Sequence, residues 1–412
     1  MQYRSIRITL AIGVLALPLG AARTLALDAS TLPPAVAGAM ADAASPQAIA
    51  NYRRRLRAYL QARAAFERQA HAYWDGIAEK RRTRYAKWRA HQSVTLDDYV
   101  LSQPPLYAGP KRPANPAPEI LPEVPRRPRR HIPVVADLLK AAARYFHWTP
   151  QQPASELQFM RAYAGDALAS GLTRRQAVRV YAFETGGNGK HDSQSGLIYG
   201  SHAISTAIGY NQLLTTNTVE LMAEQGKGMI KALTRKAVGL SGAARQAMLD
   251  KIAVLKRMVA LARSVPDEWS QHERIADTPR GWAMHAMVLD VDVGPMLQTE
   301  KLLTSVRFAR EKGYTRPLTA AELEMMNLTG DGTGFDMVTM PQAMRERVPT
   351  ANFFQRRGYE HNPVAIRHNT VARLLAVTDA RMETCSRKPG ARQLAAAFAG
   401  GLGLVSQERS GR

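Results

Sequence analysis

Cysteine is almost absent from this sequence, since Cys385 is the only one among 412 residues. A single thiol excludes an intramolecular disulfide and any cysteine-rich metal cluster. Acidic side chains are also scarce: 34 Asp and Glu stand against 56 Lys and Arg, and the net charge is +22. This excess favours an anionic partner such as nucleic acid, a membrane surface or an acidic cell-wall polymer. Because 45% of the residues are hydrophobic, the chain is neither wholly disordered nor fibrous.

The first residues have the pattern of a secretory signal peptide. Arg4 and Arg7 precede the nearly apolar run Ile8–Leu19, and Thr24–Ala26 offers a cleavage site with a small final residue. The run is shorter than the about 20 residues of an ordinary membrane span. We therefore predict that residues 1–26 are a signal peptide and that the mature protein is exported to the periplasm. An uncleaved segment that tethers the chain to the membrane is the alternative. Export argues against nucleic acid as the partner.

Residues 27–100 are predicted to form a basic helical region. Ser45 and Pro46 are typical of a helix start, and apolar residues recur at steps of three and four from Ile49 to Ile77. One long helix reaching towards Trp88 explains this pattern. Residues 51–130 contain 18 basic and 7 acidic residues, a net +11. Such a helix could dock on its own chain, pair with a second copy or hold an anionic envelope surface, so the oligomeric state stays open.

The rest of the chain divides into a linker, a helical domain and a tail. Residues 101–133 contain ten of the 24 prolines, which predicts an extended linker. Residues 134–385 are predicted to be one mostly α domain, because strand-like alternation is scarce and helix caps are frequent. Residues 386–412, which end in Gly, Ala, Ser and Arg, are predicted to be a flexible tail. The predicted helices are Val134–Phe146, Glu156–Ser170, Thr173–Glu184, Thr218–Glu224, Ala243–Ser264, Gln298–Lys312, Thr319–Met326 and Val364–Met382.

Glu184 is the candidate catalytic residue. On a helix that starts at Thr173, it continues the apolar face of Ala177, Val180 and Tyr181 and lies at the C-terminal end. Apolar surroundings and the negative end of the helix dipole both disfavour the ionised carboxylate, so they raise its pKa. A carboxyl group that is still protonated near neutral pH can act as a general acid towards a glycosidic oxygen.

Two further motifs follow Glu184-Thr185, namely Ser-Thr-Ala-Ile-Gly-Tyr-Asn-Gln at residues 205–212 and Met-Met-Asn at 325–327. Together they resemble the soluble lytic transglycosylases of the goose-type lysozyme-like superfamily. That resemblance implies a lysozyme-like helical fold for residues 134–385, with Glu184 as the acid/base. The substrate-binding residues that it implies are Thr185, Ser205, Gly209, Tyr210, Gln212, Met326 and Asn327. The sequence departs from the family at Met326, where the family has a tyrosine.

The same resemblance implies the reaction. Members of this family cleave peptidoglycan strands between N-acetylmuramic acid (MurNAc) and N-acetylglucosamine (GlcNAc) with one Glu, leave 1,6-anhydro-MurNAc ends and use no cofactor. A lysozyme-type hydrolase is an alternative, and it requires a second carboxylate. Asp192, Asp331 and Asp336 are the candidates, none at a diagnostic spacing. A non-catalytic wall-binding or envelope assembly protein is the other alternative, and the Met326 departure favours it.

No metal site is predicted. Asp331–Asp336 lacks the regular acidic positions and the final Glu of a calcium-binding EF-hand loop. His191 and His202 lie eleven residues apart without a third ligand, which is too little for a zinc site.

Overall fold

The computed structural model describes residues 44–116, 131–194 and 203–410. About 70% of these residues are helical, and among them there is no β-strand, only isolated bridges. The prediction of a mostly α fold is therefore confirmed. No helix in the described ranges has both the length and the apolar character needed to cross a membrane. The predicted signal peptide, the first part of the basic region, residues 117–130 of the linker and His202 lie outside the described residues.

The sixteen α-helices of the described ranges are numbered in chain order. They are α1 Pro46–Arg89, α2 Val135–Phe146, α3 Glu156–Ala169, α4 Arg174–Thr185, α5 Thr215–Val238, α6 Gly242–Ala262, α7 Trp269–Ala276, α8 Pro279–His285, α9 Val293–Glu311, α10 Ala320–Thr329, α11 Asp331–Thr339, α12 Gln342–Arg345, α13 Arg356–Glu360, α14 Pro363–Arg367, α15 Val371–Ser386 and α16 Pro389–Ser410. The described chain forms two compact units.

The first unit contains residues 44–116 and 341–374. Its long helix α1 starts at the predicted cap, where the Ser45 side chain accepts a hydrogen bond from the Ala48 N–H. Arg84 on α1 is fully buried, donates to the carbonyl of Asp98 over 3.0 Å and lies 4.3 Å from the Tyr99 ring centroid. Arg81 donates to the carbonyl of Asn352 over 2.9 Å. Arginines of α1 therefore fix it to its own unit.

Two predicted boundaries need correction. Residues 341–374, assigned to the domain at 134–385, pack with α1 instead. The part of the linker that the structure describes, residues 101–116, has no helix, as predicted, but it packs against α1. Tyr107 packs on α1, with its ring centroid 5.4 Å from that of Phe66 and 5.1 Å from the Arg63 guanidinium. The composition indicated an extended chain, but it did not indicate these contacts, nor that the carbonyl of Ser102 accepts a hydrogen bond from the Tyr73 hydroxyl over 2.9 Å.

The second unit contains residues 131–194, 203–340 and 375–410. Its core has two hydrophobic clusters. Side chains of α2, α5, α6 and α8 build one, and those of α3, α4, α10 and α16 build the other. Helix α9 belongs to both, because Leu297 lies in the first cluster and Leu302 in the second. Gln298 and Lys301 of α9 lie where the helix passes between the clusters, and both contribute to the candidate site.

The prediction of a flexible tail at residues 386–412 is wrong for residues 389–410. Residues 389–410 form α16, and Ala391, Leu394 and Phe398 are buried in the second cluster. Alanine is the residue with the highest helix propensity, and these side chains recur at the spacing of one helix face. The small-residue composition therefore reflects a closely packed helix.

Candidate active site

Helix α4 carries Glu184 in its last turn. Thr173 and Gln176 form a reciprocal capping box at the start of α4, and Gly186 ends the helix with a φ of 66°. Tyr181, one turn before Glu184, is fully buried in the second cluster. This buried face leaves the Glu184 side chain half-buried at the helix end. The helix places the carboxyl group where the sequence analysis expected it.

Helix α10 supplies two partners of Glu184. Thr319 caps α10 by accepting a hydrogen bond from the Glu322 N–H over 3.2 Å. Glu324 and Asn327 are three residues apart and therefore lie on one face of α10. The Asn327 amide donates to Oε1 of Glu184 over 3.2 Å, and the Glu324 carboxyl is hydrogen-bonded to that of Glu184. A pair of carboxyl groups thus meets at the end of α4.

Burial determines the protonation of this pair. It raises the pKa of the Glu184 carboxyl to about 7, against the hydrogen bond from Glu324 and the charges of Lys301 and Arg381, which lower it. Glu324 is 1% exposed, and burial followed by the nearby Glu184 carboxyl raises its pKa well above the usual range. Two adjacent carboxylates cannot both ionise at low cost, so the pair holds at least one proton near neutral pH.

Lys301 connects the pair to a second group of acids. Burial lowers the pKa of its ammonium group, whereas the charges of Glu220, Asp331, Glu184 and Glu324 raise it. Burial also raises the pKa of Glu220 to about 7 and that of Asp331 above its usual value. The Ser305 hydroxyl donates to Asp331 over 2.5 Å. The charges of four carboxyl groups therefore act on this one ammonium group, and burial favours the protonated forms of Glu220 and Asp331.

The loop at residues 205–214 packs against α4 through aromatic rings. Gly209 has a φ of 84°, and the fully buried Tyr210 follows it. The Tyr210 hydroxyl donates to Glu156, and its ring centroid lies 4.8 Å from that of Tyr181. Asn211 donates from its backbone N–H to Oε1 of Gln298 over 2.8 Å. The loop is thereby fixed to α3, α4 and α9.

The remaining predicted site residues make local contacts. Gln212 is half-buried, has a φ of 46° and donates to the Gly209 carbonyl over 2.7 Å. The Ser205 hydroxyl accepts from the Ala207 N–H over 3.1 Å. The Thr185 hydroxyl donates to the Tyr181 carbonyl over 2.7 Å. These bonds shape the turn and the helix end, whereas only Asn327 among the predicted partners bonds to the Glu184 carboxyl.

Three of the predicted substrate-binding residues, Gly209, Tyr210 and Met326, are buried, so none of them offers surface to a substrate. The side chains of Tyr210 and Met326 are 0% exposed and lie in the second cluster, so a substrate cannot touch them. Gly209 is buried as well, and it shapes the loop through its backbone. The resemblance of short motifs drew attention to these positions, but a motif does not indicate whether its residues are buried.

The three aspartates considered as second carboxylates are dispersed. Asp192 is exposed, Asp331 lies near Lys301, and Asp336 is 3% exposed within α11. The segment from Asp331 that was compared with a calcium loop is helix α11. His191 lies 2.8 Å from Glu156 through Nδ1. No group of three or more His, Cys, Asp or Glu within the described ranges is placed to hold a metal ion.

The sequence analysis missed Glu324, Lys301 and Glu220. Each lies on a different helix, and only the fold brings Glu324 and Lys301 to Glu184 and Glu220 to Lys301. One local signal was present, since Glu324 stands between Leu323 and Met325 in a helix that is otherwise largely apolar. A helix that is apolar on most of its faces is expected to be buried, which makes its carboxyl group a candidate for burial as well. Compared with known proteins, the chain matches no family model, no curated protein and no solved structure.

Proposed function

We propose that this chain is a peptidoglycan lytic transglycosylase, with a lysozyme-like catalytic unit that cleaves the β-1,4 bond between MurNAc and GlcNAc. The observation that carries the proposal is the contact of Asn327 with Glu184, 143 positions apart in the chain. The family resemblance assigns these two residues to one site. A pKa of about 7 for Glu184 also suits a general acid near neutral pH.

The reaction needs one carboxyl group in two states. Protonated Glu184 gives its proton to the glycosidic oxygen, the C1–O bond of MurNAc breaks, and positive charge develops at C1. The Glu184 carboxylate then accepts the proton of the 6-hydroxyl of the same MurNAc while O6 bonds to C1. Glu184 ends in its starting state, and no water is consumed. The Asn327 amide holds the carboxyl group during both steps.

The contact of Glu184 with Glu324 favours the lyase over the hydrolase. Hydrolytic glycosidases place their two carboxyl groups about 5–9.5 Å apart, on either side of the scissile bond. Glu324 is hydrogen-bonded to Glu184, so no sugar ring fits between them. The nearest second carboxyl therefore cannot serve as nucleophile or base on the opposite face of the sugar.

A non-catalytic wall-binding protein is the second candidate, and the burial of Met326 is the observation that favours it. The family's tyrosine aligns with this position, and Met326 presents no polar group to a substrate. The glycan products that the protein releases will show whether a chain with methionine at residue 326 is catalytically active.

The proposed setting is the periplasm, reached through the predicted signal peptide at residues 1–26. Peptidoglycan strands are the proposed partner, and no nucleic acid or cofactor is involved. The basic helix α1 would hold the protein near an anionic envelope surface, an attraction that salt weakens. This attraction affects where the protein binds and leaves the choice of the cleaved bond to the Glu184 site.

A digest of purified peptidoglycan tests the proposal. The wild-type protein, Glu184→Gln and the control Glu311→Gln, an exposed carboxyl on α9, are compared by mass spectrometry of the released muropeptides. We expect 1,6-anhydro-MurNAc ends from the wild type and the control, and a rate about 10²–10⁴-fold lower from Glu184→Gln. Glycan binding by that variant should stay close to wild type, and its thermal midpoint should not fall, because the amide removes a buried group that ionises near neutral pH.

Other products would decide between the alternatives. Reducing ends in place of anhydro ends would make the protein a hydrolase and contradict the single-acid mechanism. Binding without any release of muropeptides from the wild type would leave the wall-binding candidate standing. Equal activity of wild type and Glu184→Gln would remove Glu184 from the chemistry.

A further inference from the structure

Glu324 is the most buried carboxyl group next to Glu184, and neither family motif includes it. Its side chain is 1% exposed, and Oε2 has no N–H donor among the described residues. It is hydrogen-bonded to Glu184, and Asn327 from the next turn of α10 contacts both carboxyl groups. An ionised Glu324 would leave a buried oxygen unsatisfied and would face a second carboxylate, and both effects are costly.

We propose that Glu324 is the positioning residue of the site: it remains protonated, donates its hydrogen bond to Glu184 and holds that carboxyl group together with Asn327. The inference rests on the proposed function for its catalytic meaning, whereas the hydrogen-bonded pair itself is independent of the reaction.

The groups that face the pair decide where the proton stays. Lys301 from α9 and Arg381 from α15 lower the pKa of Glu184, and Lys301 has the same effect on Glu324. Glu324 is more deeply buried than the half-buried Glu184, so its charged form is the more costly one. Glu324 therefore keeps its proton while Glu184 titrates.

This arrangement assists the second half of the proposed reaction. Once Glu184 has given its proton to the leaving oxygen, its carboxylate accepts hydrogen bonds from the Glu324 hydroxyl and the Asn327 amide. Charge-assisted hydrogen bonds of this kind are shorter and stronger than neutral ones. They hold the carboxylate in place until it takes the proton of the 6-hydroxyl. Glu324 exchanges no proton with the substrate and is not itself a catalytic residue.

Two substitutions separate this role from simple packing. Glu324→Gln keeps a hydrogen-bond donor and cannot ionise, whereas Glu324→Met fills similar space without a donor. The titration of Glu184 is followed by ¹³C NMR of protein labelled at the glutamate carboxyl carbons, and its resonance is identified by difference with Glu184→Gln. The pH dependence of glycan cleavage is measured beside it, with Glu311→Gln as the control.

We expect the Glu184 pKa in Glu324→Gln to stay within about half a unit of wild type, because Glu324 is already neutral there. In Glu324→Met the pKa rises by about one unit, since the carboxylate loses a charge-assisted hydrogen bond. The alkaline limb of the pH–rate profile moves with it, and kcat falls about 10–100-fold.

A Glu184 pKa that falls by more than a unit in Glu324→Gln would show that Glu324 is ionised in the wild type and would overturn the inference. That comparison suffices even where Glu324→Met does not fold. Equal shifts of the Glu184 pKa in both variants, or an unchanged Glu184 pKa in Glu324→Met, would overturn the inference too. If the Glu184 pKa values of both variants are as expected but no glycan is cleaved, the proposed function is wrong, whereas the inference that Glu324 donates to Glu184 holds. If cleavage depends on Glu184 but the pKa values of the variants differ from those expected, the proposed function holds and only the inference about Glu324 is wrong.

Discussion

Gly209 shows at the scale of one residue what the second motif contributes. A Cβ at this position would lie 2.0 Å from Nε2 of Gln298 and 3.2 Å from the His191 carbonyl oxygen. The Gln298 amide cannot move aside freely, because it accepts from the Asn211 N–H and donates to the Ile208 carbonyl. The glycine therefore allows the loop at residues 205–214 to approach α9 closely.

We predict that Gly209→Ala destabilises the protein by about 2–4 kcal/mol, since it adds strain at positive φ to an overpacked contact. Gly165→Ala is the matched control. Gly165 is exposed on α3 and a Cβ there meets nothing within 4 Å, so this change adds about 0.5–1 kcal/mol of stability. Urea unfolding at pH 7 measures both. Two losses of similar size would contradict this role of Gly209.

The local sequence pattern was sufficient to predict that the pKa of Glu184 is raised, but it was insufficient to predict which residues surround its carboxyl group. The apolar face of α4 and its C-terminal end are readable in twelve residues, so the raised pKa of Glu184 could be anticipated. Glu324 reaches the site from α10 and Lys301 from α9, and no short-range signal predicts that these helices meet. The burial of Tyr210 was not predicted, because the sequence of a loop does not indicate that a hydroxyl turns inward to Glu156.

Helix α16 corrects the sequence analysis at the scale of a whole element. Glycine and alanine in residues 389–403 suggested a loose tail, although the same composition permits close packing against α3 and α4. Alanine and glycine outnumber the large apolar side chains of α16, so the periodicity of Leu394 and Phe398 produces little contrast with the exposed face. The long helix α1 was predicted correctly because its stripe has large residues such as Tyr52 and Phe66.

We predict that Leu394→Ala on α16 lowers the free energy of unfolding by about 2–4 kcal/mol, because it removes a 0% exposed side chain and leaves a cavity. Its neighbour Gln393 is exposed, so Gln393→Ala should change stability by less than about 0.5 kcal/mol. Thermal and urea unfolding of both variants provide the comparison. Wild-type stability of Leu394→Ala would restore the flexible-tail prediction.

At the scale of the whole molecule, buried carboxyl groups link stability to pH. Burial raises the pKa values of Glu184, Glu220 and Asp166 to about 7. Between pH 4.5 and 7 these groups keep protons in the folded state that the unfolded chain releases. The free energy of unfolding therefore falls as the pH rises through this window. His285 opposes this below pH 6.5, because burial lowers its pKa to about 4 and the folded state takes up fewer protons there.

Glu220 allows one of these contributions to be isolated. We predict that Glu220→Gln gains about 1–2 kcal/mol of stability relative to wild type between pH 5 and pH 8. A shift from 4.5 to about 7 corresponds to about 3 kcal/mol at most, and the half-buried side chain reduces that figure. The amide cannot ionise, so the variant does not lose stability as the pH rises, whereas the wild type loses stability when the buried Glu220 carboxyl group becomes charged.

Urea unfolding at pH 5, 6, 7, 8 and 9 measures the effect, with Glu273→Gln, an exposed position on α7, as the control. We expect the control to follow the wild-type curve within about 0.3 kcal/mol at every pH. The Glu220→Gln curve should diverge upward from wild type above pH 5 and run parallel to it beyond pH 8. Parallel curves from pH 5 onward would mean that Glu220 ionises at its ordinary pKa. The charge of Lys301 would then offset the burial of Glu220.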